Sequence, residues 1–152
     1  MTVPSLDRIL VAVDNSPAAL AAVRTAARLA AVHAARVRVV HVLGDDELVQ
    51  ALVTMGRDGT LRERRSREAA ALLGHMASIA RRAGVQVDTV DLDGEAAPRI
   101  LEQARDWQAD LLVMGRSDRR GPGQPYVGTV TRHVLEFAER PVLVVPQPAA
   151  AR

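Results

Sequence analysis

The sequence predicts an α/β fold in which helices cover both faces of an open parallel β-sheet, as a three-layer sandwich. Five short apolar segments alternate with four segments of helical pattern along the 152 residues. Several of these segments are apolar almost throughout, as expected for strands that are buried on both faces. Parallel neighbours need right-handed crossover connections, and the intervening helical segments supply them.

The first unit is a strand, a turn and a helix. Residues 8–13 have the sequence Arg-Ile-Leu-Val-Ala-Val, a nearly continuous apolar segment with β-branched residues. Ser16 followed by Pro17 predicts a helix N-cap with proline at the first helical position. The alanine-rich segment that follows favours a helix as far as Ala31.

The second unit leads to a strand at the margin of the sheet. Residues 36–42 contain four valines and predict the second strand. Residues 45–59 are a polar connection that favours either a short helix or a loop, and the second helix runs from about residue 61 to 83. Gly84 ends this helix. Residues 85–92 alternate between apolar and polar side chains, which predicts an edge strand with one solvated face.

The third unit carries the chain to the fourth strand. Residues 94–98, Gly-Glu-Ala-Ala-Pro, open a third helix that ends near Trp107. Residues 111–114, Leu-Leu-Val-Met, predict the fourth strand, which ends at Gly115.

The fourth unit contains the last helix and the last strand. Residues 128–137 predict the last helix. The fifth strand begins at Pro141, ends at Val145 and is bounded by prolines.

Composition and length limit the classes of protein that this chain can be. A chain of 152 residues, 48% of them apolar, predicts a single domain over residues 1–152, with its core at 8–146 and an unstructured tail at 147–152. Cysteine is absent, which excludes disulfides and thiolate chemistry and suits a reducing compartment, so we expect a cytoplasmic location. The chain shows no signal-peptide pattern and no segment of roughly 20 apolar residues, so we expect no membrane association.

The charge pattern argues against a nucleic-acid partner. The net charge is only +2, and the computed isoelectric point of about 10.3 reflects that every basic residue is arginine, which titrates later than lysine. The basic run at residues 62–68 carries interleaved acids on a helical pattern, which predicts a solvated, ion-paired helix face. Aromatic residues are too few to stack on single-stranded bases.

A glycine-containing pattern after the fourth strand indicates a phosphate-binding loop. Its spacing is Gly115-x2-Asp118-x9-Gly128-Thr129. A parallel strand delivers the chain to the carboxyl edge of the sheet, where glycine lets the backbone approach a ligand closely. Gly128 and Thr129 open a helix, and the N–H groups of a helix N-terminus bind anions. The alternative is that these two residues are an ordinary helix start.

The chain resembles the universal stress protein family between residues 8 and 145. The resemblance rests on six segments in a characteristic order and spacing, at residues 9–16, 40–42, 94–98, 109–115, 128–130 and 140–145. The family pattern is G-x2-G-x9-G-[S/T], from which this chain departs at Asp118. The resemblance implies a flavodoxin-like or Rossmann-like fold with strand order 3-2-1-4-5, in which a ligand crevice lies between the carboxyl ends of strands one and four.

The resemblance also implies a set of nucleotide-binding residues. Asp14 matches an acid near adenine or ribose, and Val42 matches a residue whose backbone faces adenine. Gly128 and the two residues after it match the helix start that holds phosphates. Asp14 has an alternative role as a cap of the first turn, and Met114 has one as a core residue. The full set is Val13, Asp14, Val42, Met114, Gly115, Arg116, Gly128, Thr129 and Val130.

The cofactor that the resemblance implies is ATP, with or without magnesium, and Asp118 bears directly on it. A negative charge a few ångströms from a polyphosphate disfavours binding by about a few kcal/mol per pair at an effective dielectric of about 20. Asp118 also lacks the freedom of glycine at positive φ. Arg116, Arg119 and Arg120 can offset both effects, because arginine binds phosphate oxygens bidentately. Their alternative is to be solvated loop charges.

Three hypotheses of function follow. The first is an ATP-binding regulatory protein of the stress response that passes its ligand state to a partner. The second is a dimeric stress-response scaffold that does not bind ATP, because Asp118 adds charge and Pro122 and Pro125 remove N–H donors. The third, an enzyme, has the least support, since the sequence contains neither a P-loop lysine motif nor a recognisable serine–histidine–acid spacing. We therefore expect no catalytic residues and no metal ligands.

The fifth strand predicts a homodimer. It lies at an edge in the order 3-2-1-4-5, and an apolar edge with unpaired backbone groups associates unless something covers it. A second copy related by a two-fold axis supplies that cover, and Pro141 and Pro146 limit the paired length. The resemblance implies the same assembly, because universal stress proteins commonly dimerise through this strand.

Overall fold

A computed structural model describes residues 5–43, 58–116 and 127–148. Strands and helices alternate throughout these ranges, as the sequence predicts. The strands are β1 (Arg8–Ala12), β2 (Arg36–Leu43), β3 (Val87–Asp93), β4 (Leu111–Arg116) and β5 (Val142–Pro146). The helices are α1 (Pro17–His33), α2 (Asp58–Arg82), α3 (Ala96–Asp106) and α4 (Thr129–Phe137).

The sheet has the order β3-β2-β1-β4-β5, and every neighbouring pair is parallel. The predicted order 3-2-1-4-5 is therefore confirmed, with β3 and β5 at the two edges. Ile9 of β1 is in register with Val37 of β2 on one side and with Leu111 of β4 on the other. Successive strands run outward from β1 to β3 on one side of the sheet and from β4 to β5 on the other, so the strand order reverses between β1 and β4. The crevice expected of such sheets lies at the carboxyl ends of these two strands.

Two apolar clusters fill the spaces between the sheet and its helices. Ile9, Leu10 and Val11 are each 0% exposed, so β1 is buried on both faces as its sequence predicts. One cluster joins the sheet to α1 and α2, and its buried strand residues are Ile9, Val11, Val37, Val39 and Val113. The other joins the sheet to α3 and α4, and its buried strand residues are Leu10, Val40, Leu112 and Met114. The fold is a three-layer α/β sandwich.

Helix α1 lies close to the sheet because its buried face consists mainly of alanine. Ser16 is the N-cap and Pro17 is the first helical residue, as predicted, and the helix continues past Ala31 to His33. Small side chains bring the helix backbone near the strands, where larger ones would hold it away. The buried alanines are Ala18, Ala19, Ala22, Ala26, Ala27 and Ala30.

Strand β4 is longer than the sequence predicts. The prediction that it ends at Gly115 is wrong, since Gly115 pairs with Val145 and Arg116 pairs with Pro146. The apolar pattern stops at Met114, but the partner strand β5 sustains the ladder for two more residues. β5 itself is shifted by one residue from the prediction and runs from Val142 to Pro146.

Helix α2 and strand β3 also differ from their predicted bounds. α2 begins at Asp58, because glycine in a helix costs only about 1 kcal/mol and does not prevent its extension. β3 begins at Val87, since the N–H of Val85 donates to the carbonyl of Ala80 and so closes the end of α2. Gly84 has φ +78°, a left-handed conformation that ends the helix as predicted.

Several residues used in the sequence analysis lie outside the described residues. They include most of the connection at residues 45–59, the last four residues of the predicted tail, and the loop residues Asp118, Arg119, Arg120, Pro122 and Pro125.

The predicted ion-paired surface is present on α2. Arg64 and Glu68 form an exposed (i, i+4) pair at 3.2 Å, and the Arg67 side chain donates to the Glu63 carbonyl. No helix within the described ranges is long and apolar enough to cross a membrane.

Asp110 ties the start of β1 to the start of β4. Its Oδ2 accepts hydrogen bonds from the backbone N–H groups of Asp7 and Arg8, each at 2.9 Å. Its own N–H donates to the carbonyl of Arg8 at 2.8 Å, and the Arg8 side chain donates to the carbonyl of Trp107 at 3.1 Å. These contacts set the register of the two strands whose opposite ends border the crevice.

We predict that Asp110→Ala lowers the free energy of unfolding by about 1 to 3 kcal/mol, because two backbone donors lose their acceptor. Asp110→Asn keeps a carbonyl oxygen in the same place and should lose less. Urea unfolding followed by fluorescence of Trp107, the single tryptophan of the chain, measures both variants. Equal losses for the two variants would contradict the assignment to these hydrogen bonds.

Candidate functional site

A cavity of about 360 Å³ opens at the carboxyl ends of β1 and β4. This volume falls in the range of about 300 to 1,000 Å³ that small-molecule and cofactor sites occupy. The segments that line it come from all parts of the chain: the ends of β1, β2 and β4, the turn before α1, and the first turns of α3 and α4. The lining residues are Ala12, Val13, Asp14, Ser16, Ala19, Val40, Val42, Ala96, Ile100, Met114, Gly115, Gly128, Thr129, Val130 and Thr131.

The inner part of the cavity is apolar. Val40 and Ile100 contribute buried side chains, and Met114 is 5% exposed. Met114 also belongs to the apolar cluster beneath α3 and α4, so it is both a core residue and a wall of the cavity. An apolar wall of this kind suits a flat, weakly polar ring such as a nucleobase.

The turn between β1 and α1 is held by its own side chains. Asp14 Oδ1 accepts from the N–H of Ser16 at 3.0 Å, and Ser16 Oγ accepts from the N–H of Ala19 at 3.2 Å. The capping role suggested for Asp14 is therefore present, and the same exposed carboxylate borders the cavity. The first turn of α1 already has an acceptor for one of its N–H groups.

The N-terminus of α4 is different, because its N-cap carries no side chain. The N-cap residue is Gly128, with φ −60° and ψ 160°, and no side-chain hydrogen bond caps the helix. The N–H groups of Thr129, Val130 and Thr131 have no acceptor within the helix, as in every first turn. All four residues line the cavity. This end of the cavity therefore presents N–H donors and the positive end of a helix dipole, a combination that binds anions.

The two glycines of the predicted phosphate loop have different roles. A Cβ on Gly115 would lie 2.6 Å from the backbone carbon and oxygen of Ala18, so glycine at this position lets α1 pack against β4. A Cβ on Gly128 would meet no atom of the described residues within 4 Å, and the φ of −60° is open to any residue. Contacts among the described residues thus require glycine at position 115 but not at position 128.

The structure brings eight of the nine predicted site residues to this cavity, and Arg116 is the exception. Arg116 pairs in register with Pro146 at the end of β4 and does not line the cavity. Sequence reasoning missed the other seven lining residues, which are Ala12, Ser16, Ala19, Val40, Ala96, Ile100 and Thr131. The sequence does contain a signal for Thr131 as a lining residue, because Thr131 lies two positions after Thr129 in the same first turn of α4.

The described lining carries little charge. Asp14 is its one ionisable side chain, and the arginines predicted to assist phosphate binding either lie outside the lining or outside the described ranges. The positive potential on the described walls therefore comes from the α4 N-terminus. Within the same ranges, histidine, aspartate and glutamate side chains form no group of three that is placed to hold a metal ion.

Comparison with known sequences identifies relatives along almost the whole chain. The profile of the universal stress protein family matches residues 5–146. Universal stress protein MJ0531 of Methanocaldococcus jannaschii is 30% identical over 141 residues, which cover 93% of this chain and 82% of that protein. Universal stress protein YxiE of Bacillus subtilis is 27% identical over 146 residues, which cover 91% of this chain and 98% of that protein.

A solved structure that is similar to this chain also comes from a universal stress protein. The universal stress protein from Archaeoglobus fulgidus in complex with dAMP superposes with a TM-score of 0.70 at 28% sequence identity. The alignment covers 91% of this chain and 97% of that one.

We predict that Gly115→Ala lowers the free energy of unfolding by about 1 to 3 kcal/mol, because the added methyl group must displace the backbone of α1. Gly74→Ala is the matched control. Gly74 is an exposed α2 residue whose Cβ would meet no atom within 4 Å, so this variant should gain about 1 kcal/mol from helix propensity. Urea unfolding measures both, and a neutral Gly115→Ala would contradict the packing role.

Proposed function

Since the chain belongs to the universal stress protein family, we propose that it is an ATP-binding regulatory protein of the stress response. ATP occupies the cavity at the carboxyl ends of β1 and β4, with its base against the apolar wall and its phosphates at the N-terminus of α4. The bound or empty state of the cavity is passed to a partner.

The two ends of the cavity match the two chemically different ends of a nucleotide. Val40, Val42 and Met114 form an apolar side that suits a base, and Asp14 stands beside it with a carboxylate oxygen able to accept from a sugar hydroxyl or an amino group. The α4 N-terminus supplies N–H donors on the other side. A purely apolar ligand would leave those donors unused.

Gly128 is the observation that carries the proposal. Neither its backbone conformation nor the described residues around it require glycine. Among the described helix N-termini on the cavity, α4 is the one whose N-cap has no side chain. A ligand that approaches the backbone closely explains the missing side chain, because a Cβ would occupy the space that phosphate oxygens need. The dAMP bound by the Archaeoglobus fulgidus relative supports a nucleotide as that ligand.

We propose binding without turnover. Ser16 and Asp14, two polar groups on the cavity, are each engaged with the backbone of the β1–α1 turn rather than with each other's side chains. Acid–base or nucleophilic catalysis needs a second group within hydrogen-bonding reach of the reacting one. We also propose a cytoplasmic location, which suits a chain without cysteine.

We predict that Gly128→Val reduces ATP affinity at least about tenfold, because loss of one charge-assisted contact costs 1.4 kcal/mol or more. The variant should fold, with a loss of at most about 1 kcal/mol from the changed N-cap. Gly74→Val is the matched control, since it makes the same substitution at a position remote from the cavity with equal free space.

Isothermal titration of wild type and both variants with ATP, with and without magnesium, measures the affinities, and the ATP-induced rise in melting temperature checks them. Unchanged ATP affinity in Gly128→Val would show that the phosphates bind elsewhere. A wild-type protein that binds no ATP would favour the scaffold that does not bind nucleotide.

We further propose a homodimer in which β5 pairs with its own copy. β5 is an edge strand, and the side chains of Val142 to Val145 are all partly exposed. An antiparallel partner would satisfy the unpaired N–H and C=O groups of this edge and cover its apolar side chains.

We predict that Val144→Asp converts the dimer to monomer, because a carboxylate at the paired edge must be buried without a partner. Val144 belongs to neither apolar cluster, so the core should survive. The control Val32→Asp makes the same change on α1, where Val32 is 81% exposed, and should stay dimeric. Light scattering coupled to size exclusion measures the mass, and a wild type that is monomeric at micromolar concentration would refute the assembly.

A further inference from the structure

Sulfur in this protein is confined to methionine, since the chain has four methionines and no cysteine. Two of the four, Met76 and Met114, lie within the described ranges, and their exposures are only 4% and 5%. A buried methionine fills space in an apolar core, and burial protects its sulfur from reagents in the solvent. The two side chains are equally buried, so a difference between them depends on what lies beside each one.

Met76 is enclosed by the core, whereas Met114 borders a cavity. Met76 lies on α2 and belongs to the apolar cluster between the sheet, α1 and α2, away from the cavity. Met114 lies near the carboxyl end of β4, belongs to the cluster beneath α3 and α4, and lines the cavity of about 360 Å³. Because the cavity opens to solvent, a small solute reaches the wall that Met114 forms without any unfolding of the core.

The Met114 thioether is a nucleophile that the proposed nucleotide binding does not use. Its sulfur lone pair attacks one oxygen of hydrogen peroxide, the O–O bond breaks, and a sulfoxide forms. The sulfur loses two electrons to the peroxide, and the proton of the transferred oxygen leaves with the other oxygen as water. The reverse step takes two electrons and two protons from a dithiol-dependent reductase and releases a second water.

Oxidation at this position changes the character of the cavity wall. A thioether is apolar, whereas a sulfoxide carries a strongly polar oxygen. Val40 and Ile100, which form the apolar inner part of the cavity with Met114, have no side-chain donor to pair with that oxygen. A base packed against the oxidised wall would therefore bury an unpaired acceptor, which costs free energy.

We propose that Met114 is an oxidation site at which hydrogen peroxide weakens the binding of the nucleotide. The effect on binding rests on the proposed function, whereas the selective oxidation of Met114 does not. A chain without cysteine thereby couples ligand binding to peroxide through a thioether in its binding wall. Bound nucleotide covers the same wall, so it protects Met114 from oxidation in turn.

Peptide mapping by mass spectrometry after timed exposure to hydrogen peroxide tests the site. In folded wild type without nucleotide, the peptide with Met114 should gain about 16 Da, the mass of one oxygen atom, roughly tenfold faster than the peptide with Met76. Unfolding in urea should remove the difference, because both sulfurs then contact solvent. Equal rates in the folded protein would refute Met114 as a selective site.

Calorimetric titration with ATP before and after peroxide tests the effect on binding. Wild type oxidised at Met114 should bind ATP at least about tenfold more weakly than the untreated sample. Met114→Leu removes this sulfur and keeps the other three methionines, so peroxide should not change its affinity from that of its own untreated sample. Met76→Leu is the matched control away from the cavity, and it should lose affinity on oxidation as wild type does.

Each other outcome overturns a defined statement. Unchanged ATP affinity after complete oxidation of Met114 would refute the effect on binding. A loss of affinity in peroxide-treated Met114→Leu as large as in wild type would assign the effect to another methionine. Loss of the circular dichroism signal on oxidation would show damage to the core in place of a weakened site. An untreated wild type that binds no ATP would refute the proposed function, and the peptide map would still decide the oxidation site.

Discussion

The close approach of α1 to the end of β4 is the constraint on which the site depends. A side-chain atom at Gly115 would lie 2.6 Å from the backbone of Ala18, so this contact exists only because residue 115 is glycine. The alanine face of α1 carries the same close packing along the helix. Because Ala18 lies in the first turn, the contact also places the preceding turn, where Asp14 and Ser16 border the cavity. The same contact therefore contributes both to the packing of the core and to the geometry of the cavity.

The N-termini of α1 and α4 at the cavity differ in whether side chains already cap them. The first turn of α1 is capped by Ser16, and Asp14 holds the turn before it, so these groups are occupied within the protein. The first turn of α4 begins at Gly128 and offers its N–H groups to the cavity. Asp14 is the one ionisable side chain on the described walls, so the positive potential there comes from the backbone dipoles of α4.

The elements of the fold were predictable wherever a local pattern determined them. The double-sided burial of β1, the Ser16–Pro17 start of α1 and the stop at Gly84 all follow from the identity of neighbouring residues. The errors lie at element ends, where contacts outside the element decide. β4 continues through Gly115 because β5 pairs with it, and Val85 is excluded from β3 because its N–H bonds to α2. The first boundary depends on β5, which is remote in sequence, whereas the second depends on Ala80, five residues before Val85 across the Gly84 turn.

The sequence by itself determined the fold class, the strand order through its resemblance to a family, and the segments that meet at the carboxyl edge. It could not assign roles within that edge. Gly115 and Gly128 belong to one motif, yet the first serves helix packing and the second leaves open space beside the cavity. Thr131 gave no sign of being buried, and Arg116 matched the motif but lies outside the lining. Only the tertiary structure decided these points, because burial and close approach depend on atoms that are distant in sequence and meet only in the folded chain.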